Sequence, residues 1–235
     1  MIAKTLRTLF TGVAVLTAVA AAHTAPAFAQ AAVNENVNLV AKAAATVDTF
    51  RANLDMGPLR NLLSRAKGIV VVPQLIKAGF IIGGEGGSAV MLTQRNGNWS
   101  APAFYTVAGG SIGLQAGAQA SEVILVLMTD KAVDAVLKNN VKLGADIGIA
   151  AGPVGAGLEA STTTNLSDDV YAFALSKGLF GGIALEGSVL APDTDANRAY
   201  YGKPVTPADV LAGTGLADAN SANLRTSIAA LAKAQ

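Results

Sequence analysis

The chain has 235 residues, 17 Lys and Arg against 16 Asp and Glu, a single histidine and no cysteine. That charge balance gives no basic surface for nucleic acid as a general partner. Because the one histidine, His23, sits near the N-terminus in a segment expected to be removed, the remainder lacks His and Cys, which excludes histidine acid–base chemistry, thiol chemistry and Cys/His zinc sites.

Lys4 and Arg7 precede an apolar run from Leu9 to Ala22, and Ala27-Phe28-Ala29 follows with small residues at the positions a signal peptidase reads. Residues 1–29 are therefore expected to be a secretory signal of bacterial type, cleaved after Ala29. Its loss removes two of the 17 bases and none of the 16 acids, leaving a nearly neutral chain. With no cysteine to take a lipid anchor, the product is expected to be periplasmic or secreted. Residues 30–235 suit one domain, with a core over about 35–212 and a helical tail over 213–235.

From Val33 to Leu54, apolar residues fall at Val33, Val37, Val40, Ala44, Val47, Phe50 and Leu54, the single stripe of an amphipathic helix. Gly57-Pro58 breaks it, and a short helix from Leu59 to Ala66 groups Leu59, Leu62, Leu63 and Ala66. Arg60 and Arg65 lie off that stripe, and Lys67 follows. The run IVVV (69–72) reads as a strand ending at Pro73, and Gly79 to Thr93 as a strand or a bent pair. Asn96-Gly97-Asn98 signals a turn, with strands expected over Trp99–Val107 and Glu122–Met128. Asp130 caps a predicted helix, Lys131–Lys138. Two glycine-spaced segments, Leu143–Ala160 and Val170–Leu190, follow, then helices near Asp195–Tyr201, Pro207–Ala212 and Ala217–Ala234.

Glycines recur every fourth residue: Gly79, Gly83 and Gly87; Gly109, Gly113 and Gly117; Gly144, Gly148 and Gly152; Gly178 and Gly182. They form neither a Walker loop nor G-x-G-x-x-G between strand and helix. A zipper of membrane helices is disfavoured because Glu85 and Asp146 interrupt the runs and no segment of about twenty clean apolar residues follows the signal. In strands, residues four apart share a face. The spacing thus predicts an α+β fold: a curved, glycine-rich, mainly antiparallel sheet, possibly barrel-like, with N-terminal and C-terminal helices packed around it.

Ser64-Arg65-Ala66-Lys67 matches S-x-x-K, a serine hydrolase pairing, without the companion motifs of that class. Gly109 to Gly113 matches G-x-S-x-G but has no histidine to serve it. Glu85, Glu122, Asp146, Glu159 and Glu186 could gather as an oxygen-ligand metal site or pair with Lys77 and Lys177. Between Gly57 and Gly84 the charges are Arg60, Arg65, Lys67 and Lys77, with no acid, and short apolar stripes beside bases suit an anionic membrane surface as well as a solvated helix face.

The blocks Trp99-Ser-Ala-Pro-Ala-Phe104, Ala151-Gly-Pro-Val-Gly155, Ser176-Lys-Gly-Leu-Phe-Gly-Gly-Ile-Ala-Leu-Glu-Gly-Ser188 and Asn197-Arg-Ala-Tyr-Tyr-Gly202 resemble the SYLF domain family over about residues 35–212. The resemblance implies phospholipid binding, with a preference for phosphoinositides in eukaryotic members, through an N-terminal amphipathic segment that maps to Val33–Lys67. Some fungal members bind actin, which an exported bacterial protein would not meet. The expected function is non-catalytic binding of anionic or phosphoinositide headgroups at the bacterial envelope, with no cofactor. Arg60, Arg65 and Lys67 would meet headgroups, Leu59, Leu62 or Leu63 would touch the acyl boundary, and Lys77 and Lys177 would add charge. The alternatives are an envelope protein that binds other proteins and no lipid, or an S-x-x-K hydrolase.

Overall fold

A computed structural model describes residues 24–79, 82–112, 117–138, 140–152, 168–177, 185–212, 216 and 218–233. Helix α1 (Thr24–Ala52) leads through a 3-10 turn (Leu54–Met56) into α2 (Gly57–Leu63). Strands β1 (Gly68–Gly79), β2 (Ile82–Arg95), β3 (Asn98–Trp99), β4 (Ala103–Ile112) and β5 (Gly117–Leu127) follow, then α3 (Asp130–Lys138). The remainder is β6 (Val141–Lys142), β7 (Ile149–Ala151), β8 (Val170–Lys177), β9 (Val189–Pro192), α4 (Thr194–Tyr201), α5 (Pro207–Leu211) and α6 (Ala222–Lys233). The predicted α+β class and curled, mainly antiparallel sheet are observed.

Eight strands lie side by side in the order β6-β9-β4-β2-β1-β5-β8-β7, and β3 hairpins back onto β2. Among the described strand pairs only β7 with β8 is parallel. The β2–β3 turn places Asn96 and Gly97 at φ 52° and 79°, the left-handed pair that a tight hairpin needs. The β1 strand does not stop at Pro73. It continues to Gly79 by slipping register against both neighbours between Val72 and Leu75, a bulge that bends the sheet where proline could not have held a ladder bond.

Alternate residues of the central strands feed two cores. Ile69, Val71, Val90, Leu92, Phe104, Ile124 and Val126 pack under α1, α2 and α6 through Val47, Phe50, Leu63, Leu224 and Ile228. Val70, Val72, Met91, Tyr105, Val123 and Leu125 pack on the other side with Val133 and Val136 of α3 and Leu211 of α5. The IVVV run is apolar without alternation because both of its faces are buried. The glycines of the first two runs behave as expected: Gly79, Gly83, Gly87, Gly109 and Gly117 all fall on the α3 side of the sheet. The third run does not, since Gly144 turns the chain at φ 84° instead of lying in a strand. Gly113, Gly178 and Gly182 lie outside the described residues.

Helix ends follow local chemistry. Asn53 stops α1 two residues short of the predicted end because its side chain accepts the Asp55 N–H and starts the next turn. Thr206 and Asp209 form a reciprocal capping box at α5. Asp218 accepts from the Asn220 and Ser221 amides, so α6 starts at Ala222 and not at 217. At the other end, α1 runs through the predicted cleavage point after Ala29, and the buried residues described on it begin only at Asn36.

Candidate functional site

The apolar stripe of α1 faces the sheet. Val40, Ala44, Val47 and Phe50 are buried, as are Leu59, Leu62 and Leu63 of α2, which are 0%, 2% and 0% exposed. This corrects the predicted acyl contact: these leucines fill the core beneath the sheet and cannot reach a bilayer while the helices are docked. Leu54, assigned by the same periodicity to the buried stripe, is instead 89% exposed, because the helix ends before it and the 3-10 turn rotates it outward.

Arg60 has a structural task. Its Nη2 donates to the carbonyls of Arg51 and Asn53, both at 3.0 Å, closing the C-terminal end of α1 with a positive charge where the helix dipole is negative. Arg65 is exposed and makes no ion pair among the described residues. Lys67 immediately precedes β1 and its ammonium lies 3.7 Å from Asp130. The seven residues of α2, about 10 Å of helix, lie between exposed Leu54 and the bases Arg65 and Lys67.

Lys77 belongs to the other end. Ten residues of strand, at about 3.3 Å each, put it roughly 30 Å from Lys67, so the two cannot serve one headgroup. Lys177 is registered with Ala120, next to the Lys77–Gln119 pair, so the backbone brings Lys77 and Lys177 to the same end; the Lys177 side chain lies outside the described residues. The predicted site is thus two sites. Ile76, 50% exposed, is at this second end.

The carboxylates do not converge. Glu85 pairs with Lys77 at 3.7 Å, as the ion-pair alternative expected. Asp146 accepts the Lys142 N–H inside its own turn, Glu122 accepts from Thr46, and Glu186 lies against Gly144. Glu159 is outside the described residues, among which no group of three or more His, Cys, Asp or Glu could hold a metal ion. Asp169, which was not among the candidate carboxylates, is firmly tied: Lys131 at 2.7 Å, the Thr129 hydroxyl at 2.8 Å and the Gly148 N–H at 3.3 Å hold its carboxyl below the usual range, Lys131 contributing most.

Ser64 and Lys67 do not form a catalytic pair. The Ser64 hydroxyl donates to the Asn61 carbonyl at 2.8 Å, and Lys67 leaves the turn toward Asp130. Among the described residues no helix is long and apolar enough to cross a membrane.

A family model described as Las17-binding protein actin regulator (Ysc84) matches residues 108–231. SH3 domain-containing YSC84-like protein 1 of Bos taurus is 36% identical over 155 residues, 65% of this chain and 45% of that protein. Protein YSC84 of Saccharomyces cerevisiae is 35% identical over 156 residues, 65% of this chain and 33% of its own length. LAS seventeen-binding protein 3 of the same species is 34% identical over 157 residues, 65% and 34% of the two chains. The chain spans less than half the length of these relatives. The family description speaks of binding and regulation and the last of these names of binding; none names a reaction.

Proposed function

The chain belongs to the Ysc84 (SYLF) family, and we propose that it is a non-catalytic, peripheral phospholipid-binding protein of the bacterial envelope. The reading takes residues 1–29 as removed on export. The observation that carries it is Leu54, a large apolar side chain left 89% exposed one short helix before Arg65 and Lys67, and the contact proposed is the corner these three would make. A single leucine at the acyl boundary contributes a few kcal/mol at most, by analogy with burial in a protein, so cationic attraction to anionic lipid must supply the remainder. This contact replaces the buried α2 leucines and leaves Arg60 to hold the corner rigid.

The test is flotation of the protein with vesicles of phosphatidylcholine alone or mixed with phosphatidylglycerol, cardiolipin or phosphoinositide. Salt-sensitive flotation with anionic vesicles, lost in Leu54→Glu and weakened in Arg65→Ala/Lys67→Ala, is the expected result. Flotation indifferent to all three substitutions removes the corner as the site. No flotation with any lipid overturns the function and leaves protein partners, to which the relatives' names point.

A further inference from the structure

We propose that the α3 side of the sheet carries a second site, between Glu85 and Lys77, for a hydroxyl-bearing ligand: a polyol or sugar, free or as a headgroup. Four strands place one registered row there, Gly109 of β4 opposite Glu85 of β2, Glu85 opposite Lys77 of β1, and Lys77 opposite Gln119 of β5. The row continues the apolar core that ends at Val107, Leu75 and Val123 on the same face.

Glu85 is the unusual member. Its carboxylate is only 5% exposed, and Oε1 accepts a hydrogen bond from the Ser188 hydroxyl. Oε2 is buried and, among the described residues, has no hydrogen-bond partner. Lys77 Nζ stands 3.7 Å away, attracting it but beyond hydrogen-bond reach. A buried carboxylate oxygen without a donor is costly, and the ion pair offsets only part of that cost. A group that completes the pair must accept from an ammonium, which only donates, and donate to a carboxylate, which only accepts. A hydroxyl does both with one oxygen. A cation would be repelled by Lys77 and an anion by Glu85.

The surroundings fit a ligand larger than water. One step further along the same face, β1, β2 and β5 present Gly79, Gly83 and Gly117 in register, and these three put no side chain of their own over that floor. On the other flank, Gln119 Nε2 donates to Ser121 at 3.0 Å and Ser176 at 2.8 Å, giving an amide–hydroxyl cluster for further hydroxyls. Gly109 makes room for the carboxylate: a Cβ there would stand 2.8 Å from Glu85 Oε1 and 2.6 Å from Ser188 Oγ. Lys77 keeps 39% of its side chain exposed, so the pair can be reached from solvent.

The experiment is a titration of the labelled protein, followed by backbone amide shifts, with glycerol, with myo-inositol, and with soluble short-chain phosphatidylglycerol against short-chain phosphatidylcholine. Saturable shifts confined to the region of Lys77, Glu85, Gln119 and Ser188 are expected, with affinity falling tenfold or more in Glu85→Gln. If that variant unfolds, Lys77→Met, at a partly exposed position, reads the same loss. Shifts with free polyols identify a free ligand; shifts only with phosphatidylglycerol identify a headgroup. No saturable shift at these residues with any probe overturns the site. Leu54→Glu leaves these shifts unchanged, which separates this proposal from the corner contact.

Discussion

Asn197 grips the peptide groups of Phe104 on both sides, its Nδ2 donating to the Phe104 carbonyl at 2.9 Å and its Oδ1 accepting the Phe104 N–H at 3.1 Å. Strand β9 pairs with β4 only from Tyr105 to Ala108; the Phe104 carbonyl also accepts the Asp193 N–H at 2.9 Å, so it is the Phe104 N–H that depends on Asn197. The side chain of α4 extends the sheet by one residue. Asn197 is fully buried, and Asn197→Ala is expected to cost about 2–4 kcal/mol, since a buried N–H loses its partner along with the bonds. Urea unfolding measures it, and a change under about 0.5 kcal/mol would show that water replaces the amide.

The leucines of the N-terminal region separate stability from binding. Leu62→Ala is expected to lower stability by about 2–5 kcal/mol, as for any fully packed leucine. Leu54→Glu is expected to change it by less than about 0.5 kcal/mol while abolishing flotation. The reverse pattern in melting and vesicle assays would mean that α2 undocks to bind.

Glycines that look alike in sequence are expected to respond differently to alanine. A Cβ at Gly87 would come 2.4 Å from the Gln74 carbonyl of the β1 bulge, so Gly87→Ala should destabilise by about 1–3 kcal/mol. At Gly110 the nearest atom is 4.0 Å away, and Gly110→Ala should be neutral or stabilise by up to about 1 kcal/mol. Equal effects in denaturant unfolding would refute the bulge contact as the reason for Gly87.

Asp169 gives the fold an acid dependence. Its folded pKa lies below the unfolded value, so its contribution is present above the ordinary carboxylate range and is lost as pH falls through the folded pKa. Asp169→Asn should be less stable than the wild type near neutrality and lose less between about pH 5 and pH 3, where unfolded aspartates titrate. Parallel curves of urea midpoint against pH would rule out this role.

Much of the fold was legible. β-Branched runs and a turn signal located strands, glycine spacing marked the bare side of the sheet, and the Pro207–Ala212 helix was foreseen as α5. The site was less so, for a physical reason. Helical periodicity says that Val40, Val47 and Phe50 share a face but not whether sheet or lipid covers it, and here Leu224 and Ile228, far along the chain, supply the cover. Closeness in sequence also misled: Lys67 and Lys77 look like one basic cluster until an extended strand separates them. Leu54 was assigned to the buried stripe because its exposure depends on where Asn53 ends α1, two residues short of what the stripe alone suggests. The Asn197 motif carried the family resemblance, and its reason, a side chain standing in for a strand, needed the neighbouring β4 in view.

The helix that opens the fold is covered by the helix that ends it, and the Ser227 hydroxyl closes onto Asp48 at 3.2 Å across a sequence separation of 179 residues. Synthesis at about 5–20 residues per second puts roughly 10–35 seconds between the appearance of the two. For that interval the part of α1 that α6 will cover stands open, whatever the sheet already holds. Newly made chains therefore pass through a stage in which the N-terminal segment is far stickier than in the finished protein, and truncation before α6 would make that stage permanent.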